Sequence, residues 1–329
     1  MADWEFTTSD ALTQQVWAKG WWIEAKTESY FYSKGFIGPD EENDIIVEFP
    51  DLSVNQGYRL TYGQIRNLSG AGVPGDNTME GNEEVPDVYD DTIDINQKRN
   101  AVRTQGKLSD RYPSDKHLRK WAKRLLKRWM ADTIDQDIFT ALGSSLTKSI
   151  YGGDATSTAT IEAGDYFQLS LLAKCAAYAD KATPKIIGKK IDGDRHFACV
   201  ISPDMSFDLT TRDSAWSQAQ REAQARGKNN PIFTGAEGMS ADTMIYKHSR
   251  VSISTTFGSG ADLNGATGLF MGVGSGGIAY AKKKSWNEKS FDFGNKAGFC
   301  IGSIYGVSKS VFNSADNGVV GVSVYRTSN

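Results

Sequence analysis

The chain has 329 residues, enough to bury a full core in one large or two modest domains, and its 39% hydrophobic content excludes a wholly disordered protein. Cys175, Cys199 and Cys300 stand far apart, each in an apolar stretch and without CxxC or Cys/His spacing, so they read as buried thiols of a reducing compartment rather than as disulfide or metal ligands. No basic segment followed by an apolar run opens the chain and no apolar stretch is long enough to span a bilayer, so neither secretion nor membrane insertion is expected.

Residues 9 to 30 begin with Ser9 or Asp10 as an N-cap and carry Leu12, Val16, Trp17, Trp21 and Trp22 at helical spacing, which predicts an N-terminal helix with an aromatic face. The stretch DIIVEFPDL that follows is expected to be extended. From Tyr58 the pattern turns to alternation, Leu60 and Tyr62 against Arg59 and Thr61, and it resumes after a turn-rich segment as Ile93 and Ile95 among Thr92, Asp94 and Asn96. This predicts a two-armed hairpin over roughly residues 58 to 106, with LSGAGVPGDNTMEGNEEVPD as its tip. So few apolar residues cannot bury such a ribbon, so a neighbouring molecule is expected to order it.

Charge is segregated along this region. Between Asp76 and Gln97 every charged residue is acidic: Asp76, Glu80, Glu83, Glu84, Asp87, Asp90, Asp91 and Asp94. From Lys98 to Arg128 the charges are basic apart from Asp110 and Asp115, and the densest part is Lys116, Arg119, Lys120, Lys123, Arg124, Lys127 and Arg128. Such asymmetry calls for partner surfaces. The basic cluster lies on a long predicted helix, opening at Pro113-Ser114-Asp115 and running to about Leu142. Leu118, Trp121, Ala122, Leu125, Trp129, Ile134, Ile138 and Leu142 form its apolar stripe, and its length is on the order of 40 Å. Cations at its start and Asp132, Asp135 and Asp137 toward its end oppose the helix macrodipole, which predicts compensation from outside the helix.

Farther on, the pattern predicts a Gly/Ser/Thr loop, a helix near 162 to 182, a strand HFACVIS, a helix from Pro203 to about Arg226 and strands near 243 to 255. Short strands separated by Gly and Asn are expected from about 267 to 327. The fold class is α+β without regular βαβ alternation.

No catalytic constellation emerges. GVGSGG, from Gly272 to Gly277, satisfies the spacing of a dinucleotide loop, with Asp292 downstream, but IAYAKKKSW follows in place of a capped helix, so a glycine turn between strands is the better reading. DNTMEGNEEVPD resembles a calcium loop only in Gly81; Thr78 and Asp87 stand where ligands of other types belong. His117, His196 and His248 fall in no nucleophile or metal motif and read as structural. The expectation is therefore no enzyme activity, no cofactor and no metal. For the basic helix two readings stand, a sequence-blind contact with DNA or ion pairing with the acidic hairpin of a neighbouring copy. The second is favoured, because the nearly exclusive signs of the two segments look like paired surfaces and no aromatic platform interleaves the cations.

Two long ordered signatures carry a family resemblance. GAGVPGDNTMEGNEE with DTIDINQKRNAVRTQGKLSDR and RWMADTIDQDIFTALG, and then VISPDMSFDLTTRDSAWSQAQREAQARGKNNPIFTGAEG, resemble the coliphage N-four-type major capsid family. The resemblance implies a Hong Kong 97 fold with an N-terminal arm (1–57), an extended loop (58–106) lying over an adjacent subunit, a peripheral domain with a spine helix (107–149), an axial domain (150–262) and C-terminal strands returning to the peripheral domain (263–329). It further implies self-assembly into hexamers and pentamers of an icosahedral shell around double-stranded DNA, with scaffold, portal and decoration proteins as partners. The site would be the virion, assembled in the host bacterial cytoplasm. An encapsulin-like compartment is the alternative within the fold, with a nucleotide-binding enzyme or a tail module as rivals outside it.

Overall fold

The computed structural model describes residues 28–50, 57–66, 68, 70–107, 118–191, 193–218 and 238–327. The predicted helix of residues 9 to 30 up to residue 27, the start of the long helix at 113–117 with Lys116 and His117, and residues 219–226 of the helix predicted from Pro203 lie outside these residues. Within them that last helix is shorter than predicted, ending at Arg212 where Asp213 turns extended.

In chain order the elements are α1 (Tyr30–Ser33), β1 (Ile37–Gly38), β2 (Ile46–Phe49), β3 (Arg59–Ile65), β4 (Val88–Asp94), β5 (Asn96–Arg103), α2 (Leu118–Gly143), β6 (Ser149–Tyr151), α3 (Leu169–Lys181), β7 (Lys189–Ile191), β8 (Asp194–Ile201), α4 (Pro203–Arg212), β9 (Gly238–Ser240), β10 (Thr243–Lys247), β11 (Ser252–Phe257), β12 (Leu263–Met271), β13 (Gly276–Phe291), β14 (Lys296–Lys309), β15 (Val311–Phe312), β16 (Ala315–Asp316) and β17 (Val319–Tyr325). They form two main sheets. A five-stranded sheet has the order β1-β2-β13-β14-β5, and a larger one runs β6-β17-β12-β8-β10-β9, with β11 also on β12 and β7 on β8.

Helix α2 lies over the five-stranded sheet. Its buried row is Ala122, Leu126, Met130, Ile134, Ile138 and Leu142, spaced by four so that one side of the helix meets Ile278, Tyr280 and Ile301 of β13 and β14. This corrects the expected stripe: Trp121 and Leu125 are exposed and Trp129 is half-buried. A helix with apolar residues around so wide an arc does not itself reveal which part meets the sheet.

The larger sheet is covered by α3 and α4, and its central strands are apolar on both faces. Ala198 and Val200 of β8, Leu269 and Met271 of β12 and Val319 of β17 join the core under α2, whereas Cys199, Ile201, Phe270, Val320 and Val322 join the core under α3 and α4. Burial on both faces explains why HFACVIS and VVGVSV read as continuous apolar runs. Thus β12 and β17, expected with the peripheral strands from 263 onward, pair in the sheet built largely by residues 150–262. Helix α3 starts at Leu169, later than predicted, and Cys300 is half-buried, unlike Cys175 and Cys199.

The C-terminal strands are long rather than short. β13 and β14 form one antiparallel hairpin of 16 and 14 residues, bulged near Lys282, and the glycines that suggested breaks are points of close approach. At Gly306 a Cβ would lie 2.2 Å from the Asp94 carbonyl oxygen, so β14 crosses β4 in backbone contact. Gly306→Val is expected to cost about 1–3 kcal/mol and to lower the urea midpoint; an unchanged midpoint would mean that the crossing is soft.

Candidate assembly surfaces

The predicted hairpin exists as a β3–β4 ribbon in the register Arg59↔Asp94, Leu60↔Ile93, Thr61↔Thr92, Gly63↔Asp90 and Ile65↔Val88. It is shorter than expected. After Asp94 the chain leaves the ribbon, and β5 joins the five-stranded sheet on β14, in the register Gly298↔Arg103 to Tyr305↔Asn96. Alternation places Leu60, Tyr62 and Ile93 inward, where Ile93 is fully buried against Val47, Phe49 and Ala279. The root is therefore ordered by its own chain, a correction to the expectation that only a neighbour could order it.

Asp91 pins this root. Its carboxylate accepts from the Tyr62 hydroxyl at 2.9 Å and from the Val311 backbone N–H at 3.0 Å, while Gln64 donates to Asn317 at 3.1 Å. Asp94 pairs with Arg59 through two hydrogen bonds of 2.6 and 2.9 Å, and this pairing holds its carboxyl below the usual range. Asp91 and Asp94 thus have partners within the chain. The other acidic residues, Asp76, Glu80, Glu83, Glu84, Asp87 and Asp90, are exposed at or near the tip, where Glu83 and Glu84 accept from the Gly81 and Gly70 N–H groups.

On the outward face of the ribbon, where alternation should place polar residues, Ile65 and Val88 sit directly opposite each other and are 70% and 65% exposed. An apolar cross-strand pair facing water is a mark of an interface. Its signal is present in the sequence as a break in the phase of the alternation, which a search for the inward residues alone passes over.

The basic residues of α2 divide. Arg119 donates to Glu288 of β13 at 2.6 and 2.9 Å, and Lys127 is buried, which pulls its ammonium pKa down. Lys123 is half-buried, with its pKa lowered by burial and by Arg119. Lys120, Arg124 and Arg128 remain exposed at intervals of four, beside exposed Trp121 and Leu125. An aromatic side chain therefore does stand among the cations, contrary to the sequence-based expectation.

The acidic second half of α2 is compensated as predicted. Asp137 accepts from Lys98 at 2.6 and 2.7 Å and from the Tyr305 hydroxyl at 2.6 Å, and Asp132 pairs with Arg250 at 3.3 Å. Buried Asp135 accepts from the Ser29 hydroxyl at 2.7 Å, the Tyr30 N–H at 2.7 Å and the Phe31 N–H at 3.4 Å. A carboxylate on α2 thereby satisfies the N-terminal donors of α1, and the Tyr30, Phe139 and His248 rings pack against one another.

The sequence pattern of phage capsid proteins matches residues 5–143 and 136–326, nearly the whole chain. The chain belongs to the phage capsid protein family. The major capsid protein of Pseudomonas phage KPP25 is 26% identical to it over 97% of both chains. The capsid of Ralstonia phage GP4 superposes with a TM-score of 0.82 at 27% identity, covering 99% of this chain and 96% of that one. The capsid asymmetric unit of cyanophage Pam1 gives a TM-score of 0.79 at 21% identity with full coverage of both, a likeness of fold. This capsid protein is therefore a structural component of a phage particle.

The capsid protein uses its conspicuous motifs for architecture. GVGSGG is the turn from β12 into β13: Gly274 holds φ +66°, and side chains at Gly272 and Gly277 would strike Ile186 and Ile93. His248 accepts from the Arg250 N–H and stacks on Phe139; burial, then Arg250, pulls its pKa down against the opposing pull of Asp132. Burial pushes the Cys175 thiol up to about 12, which makes it inert as a nucleophile. Among the described residues no helix is long and apolar enough to cross a membrane.

Proposed function

We propose that this chain is the shell subunit of a tailed phage with the Hong Kong 97 fold, associating as hexamers and pentamers of an icosahedral shell around double-stranded DNA. In this reading the β3–β4 ribbon and its tip are the extended loop reaching over a neighbouring copy, and α2 is the spine of a peripheral domain. The five-stranded sheet completes that domain, and the larger sheet with α3 and α4 is the axial domain. The observation that carries it is the hairpin, rooted in its own chain through Ile93 and Asp91 yet presenting an exposed apolar pair and an acidic tip that no described residue of the body covers. Assembly takes place in the host cytoplasm with a scaffold and a portal, and a decoration protein is a further partner of the finished shell.

The exposed row Lys120, Arg124 and Arg128 with Trp121 fits a sequence-blind contact with packaged DNA better than ion pairing with a neighbour's hairpin, because phosphate binding needs cations and tolerates an interleaved aromatic. Replacing the three cations with Ala is expected to flatten the salt dependence of DNA binding by about one log–log unit for each phosphate no longer neutralised. An unchanged slope would return the row to protein contacts. The function itself is tested by electron microscopy of the protein expressed alone and with a scaffold. Closed shells or capsomer-sized rings are expected, and a monodisperse monomer under every assembly condition would overturn the proposal.

A further inference from the structure

The far end of the five-stranded sheet is the loop 292–295 joining β13 to β14, and there Phe293 is fully exposed. Asp292 and Phe293 hold φ of +54° and +49°, followed by Gly294 at +81°. A bulky aromatic residue in this left-handed region is strained, and glycine would occupy it without steric cost. The position therefore holds a side chain that suits neither its backbone nor water. Its surroundings are basic: Arg103, Lys107 and Lys289 are exposed nearby, and the carboxylate of Asp292 lies 3.7 Å from Lys296. Arg103 and Lys289 already stand over the adjacent Phe291 ring at 5.6 and 5.1 Å.

The ribbon carries the inverse of this patch. Its Ile65–Val88 pair is an exposed apolar centre beside Asp87, Asp90 and the acidic tip. The two patches cannot meet within one chain. β13 begins at the ribbon root, where Gly277 approaches Ile93, and reaches Phe291 roughly 45 Å away at ~3.3 Å per residue. The ribbon leaves that root in the other direction, past Ser310 and Asn317.

We propose that Phe293 of one copy seats on the Ile65–Val88 pair of a second copy, basic rim against acidic rim. This rests on the shell-subunit reading and names the surface that receives the hairpin. An aromatic anchor at the centre of a charged rim is the layout in which a few residues carry most of an interface. Because the two patches differ and lie at opposite ends of the unit, the contact is head to tail and closes as a ring wherever the rotation permits.

Two variants test it. Phe293→Gly relieves the backbone, so the melting temperature of the unassembled subunit is expected to stay level or rise while the critical concentration for shell assembly rises by about tenfold or more. Phe293→Cys combined with Val88→Cys is expected to give a ladder of linked chains when assembled particles are mildly oxidised and run without reductant, with neither single variant doing so. Wild-type shells alongside a Phe293→Gly protein that assembles at the wild-type concentration, or unlinked double-cysteine shells, would overturn this contact and leave the shell reading intact. Wild-type chains that form no particles would overturn both.

Discussion

A chain lacking residues 70–87 is expected to fold and yet close no shells. The excised segment is exposed along nearly its whole length, contributes nothing to either large core, and is joined to the body through a ribbon whose own anchors, Ile93, Tyr62 and Asp91, all lie outside the deletion. Local hydrogen bonds such as Asn77 to the Pro74 carbonyl and Asn82 to the Thr78 carbonyl leave with it, and the Arg66 N–H, which donates to the Asp87 carbonyl at 2.9 Å, is left at the partly exposed end of the ribbon. Loop-closure entropy changes little when a long connection is shortened. The thermal transition of the subunit should therefore move by no more than a few degrees, while the yield of closed particles seen by electron microscopy falls to background. Normal particles from this deletion would remove the assembly role from the hairpin.

The largest expected effect on stability lies at Asp135. Asp135→Ala strands the Ser29 hydroxyl and the Tyr30 and Phe31 N–H donors at a buried junction, and the expected loss is about 2–4 kcal/mol. Recovered desolvation of the carboxylate partly offsets that loss, since burial is the dominant influence and raises this carboxyl's pKa against the lowering effect of its three hydrogen bonds and of Arg250. A carboxyl whose folded pKa lies above its unfolded value adds stability that is fully present below the unfolded pKa and is lost as pH rises through the folded one. The stability gap between wild type and Asp135→Asn, which cannot titrate, should therefore widen as pH falls from neutrality into the acidic range. Denaturant midpoints at several pH values measure this directly, and a gap that narrows toward acid would show that the hydrogen bonds outweigh the burial.

Much of the architecture is legible from the residues. Period-two alternation locates both arms of the ribbon, and charge order along the long helix correctly demands partners outside it, found in Lys98, Tyr305, Arg250 and the α1 backbone. The misreadings have physical causes. Two apolar rows compete on α2, and only the presence of β13 and β14 chooses Leu126 and Met130 over Trp121 and Leu125. Gly298, Gly302 and Gly306 suggest strand ends because the sequence does not show that Phe291, Arg99 and Asp94 crowd against them. The exit of β5 from the ribbon is hidden because the chain remains extended on both sides of the switch. Asp135 is visible only as a charge at odds with the macrodipole, since its partners lie more than a hundred residues earlier. At the surfaces, the acidic and basic runs are plain, but which members face outward is decided by folding.

The alternate side chains of β8, β12 and β17 have a mechanical meaning. Because neighbouring residues on one strand, Val200 and Cys199 or Met271 and Phe270, are embedded in different cores, turning one half of the subunit against the other would shear two packed interiors at once. Such a joint transmits load instead of bending. The body then behaves as one stiff unit, and the compliance of the subunit resides in the narrow ribbon beyond Ile93, which is tied to that body at its root by Ile93 and Asp91.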